Sequence, residues 1–242
     1  MTAILSVEDL HVFAGGKEIV KGVSFSLERG KVYAVMGPNG SGKSSLCNAL
    51  MGNPEYRATG RILLEGKDIS PFSADERARM GMFLSFQNPE EVEGVGLEQL
   101  LRKASRPSSK VEEIRNWAIV KGKMRDGGKR LGLDATERDL NVGFSGGEKK
   151  KAEIVQMEVL QPRLVLLDEI DSGLDVDALR AVADSINSMR GEERSFLLVT
   201  HYSRILHYVK PDCVLVMKEG RIVKSDGADI IKRIEEMGYG GI

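Results

Sequence analysis

Cysteine is nearly missing from this chain of 242 residues: Cys47 and Cys213 are the whole supply. Two thiols cannot build a disulfide framework, nor can they alone furnish the ligands of a structural metal site, and the usage fits a reducing, intracellular setting. Long apolar runs are missing as well. Those present, such as Leu164–Leu167 and Val214–Met217, fall far short of the roughly 18 residues a membrane crossing needs. Residues 1–10 (MTAILSVEDL) carry neither a basic stretch nor a long apolar one, so no signal peptide is expected. Neither sign of charge is in excess, with 35 Lys and Arg against 36 Asp and Glu, a net of −1. These absences point to a cytoplasmic protein without direct membrane insertion.

What remains is ordinary globular material, 41% hydrophobic and 29% charged, enough to bury a core in one two-lobed domain. Short apolar runs at Ile4–Val7, Ile19–Leu27, Val32–Met36, Ile62–Leu64, Met82–Phe86, Leu164–Leu167, Phe196–Val199 and Val214–Met217 read as strands. Helical patterns fall between them at Ser44–Met51, Ser73–Met80, Gly147–Leu160 and Val176–Met189, and the second opens on a capping box, Ser73-Ala-Asp-Glu76. Strands alternating with helices predict a largely parallel α/β sheet, the early strands forming an antiparallel flap. One stretch breaks the rhythm. Leu101–Arg130 holds ten basic and three acidic residues, a net of +7 against −8 for everything else, and reads as a helical lobe inserted into the core.

Gly37-Pro-Asn-Gly-Ser-Gly42-Lys43-Ser44 has the form G-x-x-x-x-G-K-[ST], after one predicted strand and before a predicted helix. Its glycines let successive N–H groups turn inward on phosphate oxygens, and the helix N-terminus adds partial positive charge. Lys43 reaches the outer phosphates and the Ser44 hydroxyl can ligate Mg²⁺. A chance match in a chain of this length is on the order of one per cent. We therefore assign Gly37, Pro38, Asn39, Gly40, Ser41, Gly42, Lys43, Ser44 and Ser45 to binding the phosphates of a nucleotide, which the family resemblance given below implies is ATP. The run Leu164–Leu167 then delivers Asp168 and Glu169 to a strand tip, where ligands of α/β sheets collect. Asp168 suits the metal and Glu169 suits the attacking water. An apolar run ending in Asp-Glu is weak alone and strong beside the cradle.

Phe144-Ser145-Gly146-Gly147-Glu148 lies about twenty residues before Asp168 and resembles the Leu-Ser-Gly-Gly-Gln signature of ATP-binding-cassette (ABC) ATPases. Gln87 resembles their Q-loop glutamine, Ser172-Gly-Leu-Asp175 their D-loop, and His201 their switch histidine, all in the family's order. Each is weak alone; a loop glutamine is usually polar surface, and a histidine after a strand usually a satisfied hydrogen-bonder. The resemblance implies one P-loop ATPase domain over residues 1–242. Residues 1–93 and 161–242 would form the α/β core with its β flap, and 94–160 a helical subdomain with the signature. It also implies a transient head-to-tail dimer on ATP, with Ser145, Gly146, Gly147 and Asp175 completing the opposite protomer's site. Lys43, Glu169 and His201 would be catalytic, with Ser44, Gln87 and Asp168 arranging the metal.

Within the family, Glu169-Ile-Asp-Ser-Gly-Leu-Asp175 departs from the Glu-Pro-Thr-Ser-Ala-Leu-Asp usual in transporter cassettes. With 141–157, Val199–Leu206, Gly220–Ser225 and Met237-Gly-Tyr239 it is similar to the SUF cassettes of iron–sulfur cluster assembly, which implies SufB-like and SufD-like scaffold partners. Two positions depart from the family. Phe13 is the nearest aromatic for stacking adenine, yet is not squarely in register, and an ordinary core phenylalanine is as good a reading. Glu148 replaces glutamine and is followed by Lys149, Lys150 and Lys151, read as a solvated helix face or, more sharply, as the source of an ammonium that idles Glu169. Rival readings are a transporter's nucleotide-binding subunit and a nucleic-acid-associated ATPase. Nucleic acid is not expected, because Trp117 is the only aromatic between Phe86 and Phe144.

Overall fold

The computed structural model describes residues 2–105, 110–134 and 138–241, with backbone alone over 110–116. In chain order the elements are β1 (Ala3–Ala14), β2 (Lys17–Glu28), β3 (Val32–Met36), α1 (Lys43–Met51), β4 (Arg57–Leu64), β5 (Lys67–Asp68), α2 (Ala74–Arg79) and β6 (Met82–Ser85). There follow β7 (Val92–Gly96), α3 (Leu97–Ala104), α4 (Lys110–Leu131), β8 (Asp139–Leu140), α5 (Gly146–Leu160), β9 (Leu164–Asp168) and α6 (Val176–Ser188). The chain closes with β10 (Ser195–Thr200), α7 (Arg204–Val209), β11 (Cys213–Lys218), β12 (Arg221–Asp226), α8 (Asp229–Met237) and a 3-10 turn at Tyr239–Gly241. These elements fall into two compact units. One takes Met1–Gln87, Pro162–Asp171 and Arg190–Ile242; the other takes Asn88–Gln161 and Ser172–Met189. The helical segment anticipated at 94–160 lies in the second unit, which also includes α6.

The first unit is built on a six-stranded sheet ordered β12-β11-β3-β10-β9-β6. Its strands run parallel from β11 to β6, and β12 pairs antiparallel at the edge. Residues of β3, β9 and β10 are buried throughout, as the apolar runs VYAVM, LVLL and FLLV require of strands covered on both faces. A second, antiparallel sheet ordered β2-β1-β4-β5 is the flap. Only Ile4–Val7 of β1 showed a clear strand pattern in the sequence. Register shifts on both sides of Leu10, and Asp9 at φ 47°, break the period of two beyond it. Likewise β12, with Arg221, Val223, Ser225 and Asp226 exposed, carries the mixed pattern of an edge strand.

The helices of this unit hold the site in place. Ser73 and Glu76 form the anticipated capping box of α2. The buried Arg77 on that helix donates to the carbonyl oxygens of Ala49 and Leu50, 2.9 and 2.8 Å away, and also to those of Phe72 and Ser70. A buried guanidinium thus satisfies the last carbonyls of α1, whose opposite end carries the glycine loop.

In the second unit α3, α4, α5 and α6 pack together beside the short β7–β8 pair. Arg106 of the basic segment lies outside the described residues. Of the rest, Arg130 pairs with Glu158, and Lys121 lies 4.9 Å over the Trp117 ring, whose indole N–H donates to Glu98 at 2.8 Å. One face of the segment's single aromatic is therefore taken by a neighbouring lysine.

Candidate functional site

The parallel register sets the tips of β3, β10 and β9 side by side, with Met36 opposite Thr200 and Asp168 opposite Val199. The loop from Gly37 to Gly42 springs from the first tip, and His201 and Glu169 follow the other two. Shape restricts the loop's first residue, because a Cβ at Gly37 would fall 2.1 Å from the Met217 carbonyl oxygen. Gly42 adopts φ 100° at the N-cap of α1, a conformation closed to side-chain-bearing residues. No side chain caps that helix and no acidic residue stands in its own first turn, so its N-terminal end offers N–H groups and partial positive charge. The Ser41 hydroxyl, also in this loop, is buried with no protein partner. A loop that excludes a Cβ at Gly37 and requires glycine at Gly42, a helix N-terminus and an orphaned hydroxyl together suit a phosphate chain.

Lys43, although buried, points its ammonium back into the loop and donates to the Gly37 and Pro38 carbonyl oxygens at 2.8 and 3.0 Å. Burial lowers its pKa below the usual lysine value, while Glu169 and Asp168 pull in the opposite direction. Ser44 donates to the Asp168 carboxylate at 3.2 Å. This hydroxyl and carboxylate are the hard oxygen donors that Mg²⁺ selects. Among the described residues no cluster of three His, Cys, Asp or Glu side chains is arranged to hold a metal, so a cation on these two oxygens would draw its remaining ligands from outside any such cluster.

Glu169 sits in the left-handed region at φ 47°, and its amide donates to the Val199 carbonyl at 2.8 Å. Its carboxylate accepts from the Gln87 amide at 2.8 Å and meets the His201 Nδ1 at 3.1 Å. Gln87, anticipated beside the metal, is thus bonded to the anticipated base. Two residues on, Asp171 is buried, and both of its carboxylate oxygens lie 3.0–3.1 Å from the Thr200 hydroxyl. Burial holds its pKa above the ordinary aspartate value, against the hydrogen bond from Thr200. Motif reasoning missed this contact, although Asp171 stands in the segment that departs from the transporter pattern. Phe13 pairs across β1 and β4 with Arg57, whose guanidinium lies 4.5 Å over its ring and takes one face.

The second unit carries the other motif residues. Ser145 caps α5; its hydroxyl accepts from the Glu148 amide, and Glu148 accepts from the Ser145 amide at 2.8 Å. Glu148 therefore stands at the third helical position of a capping box, where either glutamate or glutamine closes the reciprocal bond. Its pKa is lowered, chiefly by the Ser145 amide. The reading of Lys149–Lys151 as a solvated face is corrected at Lys149 and Lys150, because most of α5 packs inward. Lys149 binds Glu91 at 2.9 Å and Lys150 is buried. Gly146 and Gly147 form the first turn of α5, and Asp175 caps α6 by accepting from the Ala178 amide at 2.8 Å.

Comparison with known proteins agrees with this arrangement. The family described as "ABC transporter" matches residues 20–172. Vegetative protein 296 of Bacillus subtilis is 47% identical, covering 97% of this chain and 91% of that protein. The "probable ATP-dependent transporter SufC" of Escherichia coli is 46% identical over 98% of each chain. A nucleotide-free ATP-binding cassette from an ABC transporter superposes with a TM-score of 0.76 at 27% identity, covering 97% of this chain and 95% of that one. No helix among the described residues is long and apolar enough to cross a membrane. A glycine cradle on one strand tip, a carboxylate pair on another and this breadth of similarity lead to one assignment: the chain belongs to the ATP-binding-cassette family, as an ATP hydrolase.

Proposed function

We propose that this ATPase serves iron–sulfur cluster assembly in the cytoplasm, converting hydrolysis of Mg·ATP into movement of SufB-like and SufD-like scaffold partners. The observation that carries this reading is the 46% identity to SufC along nearly the whole of both chains. The Glu169-Ile-Asp171 segment supports it, since a transporter cassette usually has Pro-Thr there.

In the proposed mechanism, amides of Gly37–Ser45 and the Lys43 ammonium bind the phosphates and stabilise charge spreading over the γ-phosphoryl oxygens. To do so Lys43 leaves the Gly37 and Pro38 carbonyls for the nucleotide. Ser44, Asp168 and Gln87 would hold Mg²⁺, which would supply positive charge against the negative charge of the outer phosphates. Gln87 must first release Glu169, so binding and activation of the base are one exchange of partners. Glu169 then orients the attacking water, and His201 contacts the γ-phosphate. Ser145, Gly146 and Gly147 act on the nucleotide of a second protomer, with Asp175 beside them, so the γ-phosphate holds the pair closed until it is cut.

Affinity capture of the tagged protein from its native cell tests the assignment. Recovery of SufB-like and SufD-like proteins without a permease is expected; an integral permease in stoichiometric amount would establish the transporter reading instead.

A further inference from the structure

Met237-Gly-Tyr239 has no part in the mechanism above, yet the structure brings it to the strand tips. Helix α8 buries Ile230, Ile231 and Ile234, then ends at Gly238, whose N–H bonds the Ile234 carbonyl at 2.8 Å. Gly238 has φ 67° and ψ −179°, a combination open essentially only to glycine, and it turns the chain sharply. Tyr239 follows the turn, and its hydroxyl lies 3.5 Å from the His201 carbonyl oxygen. Burial raises the Tyr239 pKa above the usual tyrosine value, offset in part by the Gly37 backbone amide. One phenol thus stands beside both the switch histidine and the start of the glycine loop.

A second tie joins the same elements. Glu235, one turn earlier on α8, accepts from the Ser203 hydroxyl and meets His207 Nε2 at 2.8 Å. Ser203 is the N-cap of α7, two residues beyond His201, and His207 lies in the last turn of that helix. The segment 201–207 is therefore held at its start by Tyr239 and along its length by Glu235.

We propose that Tyr239 and Glu235 are positioning residues for His201, keeping its imidazole beside Glu169 and in line for the γ-phosphate. The inference rests on the role given to His201 above. Hydrogen bonds that orient a group in the transition state change kcat more than substrate affinity. Loss of one such bond corresponds to about a three- to tenfold change in rate.

The test is steady-state ATPase kinetics on the full chain in four forms: unaltered, Tyr239→Phe, His201→Ala and the double variant. Glu235→Ala serves as an independent fifth. Tyr239→Phe is expected to lower kcat about three- to tenfold with KM within about twofold, and Glu235→Ala to act in the same direction. In the His201→Ala background Tyr239→Phe is expected to cost nothing further, because both act through one side chain. Unchanged kcat in Tyr239→Phe, or losses that multiply in the double variant, would overturn the inference while leaving the His201 role intact. A His201→Ala protein with full activity would instead remove the His201 role itself.

Discussion

The charged side chains assigned to the nucleotide site are bonded within it, whereas the Ser41 hydroxyl is not. Lys43 is bonded to its own loop, Ser44 to Asp168, and Glu169 to both Gln87 and His201. Each bond occupies a donor or carboxylate that the proposed mechanism assigns to substrate, and it keeps charged groups paired where burial would otherwise penalise them. Glu169→Gln keeps the site's shape and leaves the phosphate donors in place, but removes the charge to which the proposed mechanism gives the orienting of water. Turnover should fall by about 10²–10⁴-fold while nucleotide binding persists. Size-exclusion chromatography in ATP should then show an accumulated dimer, and a dimer-free variant with normal turnover would refute the role given to Glu169. Asp171 offers a test in pH. Its proton is held more tightly in the folded chain than in the unfolded one, so its contribution to stability is full below the ordinary value near 3.8 and is lost as pH rises through the raised value. Asp171→Asn removes that titration. Thermal midpoints should therefore shift in favour of the variant as pH climbs across that window, and a constant difference would argue against a buried, raised carboxyl.

Element by element, the position of Glu148 has a helical explanation, beside its exposed ion pair with Arg138. It closes the capping box on Ser145 at the start of α5. Glu148→Gln should leave the thermal midpoint nearly unchanged, because glutamine serves in the same motif, whereas Glu148→Ala should cost about 1 kcal/mol by chemical denaturation. The same box at Ser73 was legible in the sequence because it depends on residues three apart. Strands β3, β9 and β10 were legible for a related reason, being short and apolar on both faces. What stayed hidden depends on pairings between distant parts of the chain. The bulged course of β1, the polar edge strand β12, the Thr200–Asp171 contact and the approach of Tyr239 to His201 leave no periodic trace. The motifs named the cradle, the carboxylate pair, the glutamine and the histidine. That Gln87 and His201 both hold Glu169 follows only once β6, β9 and β10 are ordered in one sheet.

For the molecule as a whole, the central consequence of the proposed mechanism is that a nucleotide site is completed by Ser145–Gly147 of a second copy or a related subunit. Specific activity of the isolated protein should then fall on dilution, approaching a linear dependence on concentration once the pair is mostly apart. Activity per chain that stays constant over a hundredfold dilution, with a monomer observed throughout by light scattering, would exclude that requirement. The partition into units has a consequence of its own. The polypeptide leaves one unit after Gln87, returns at Pro162, leaves again after Asp171 and returns at Arg190. Neither unit is one continuous length of chain, so neither can be cut out whole by trimming the ends. Two of the four crossings begin at residues treated above, the glutamine that grips Glu169 and the aspartate tied to Thr200. Each of these two residues therefore ends a stretch of its unit while also taking part in the contacts around Glu169 and Thr200.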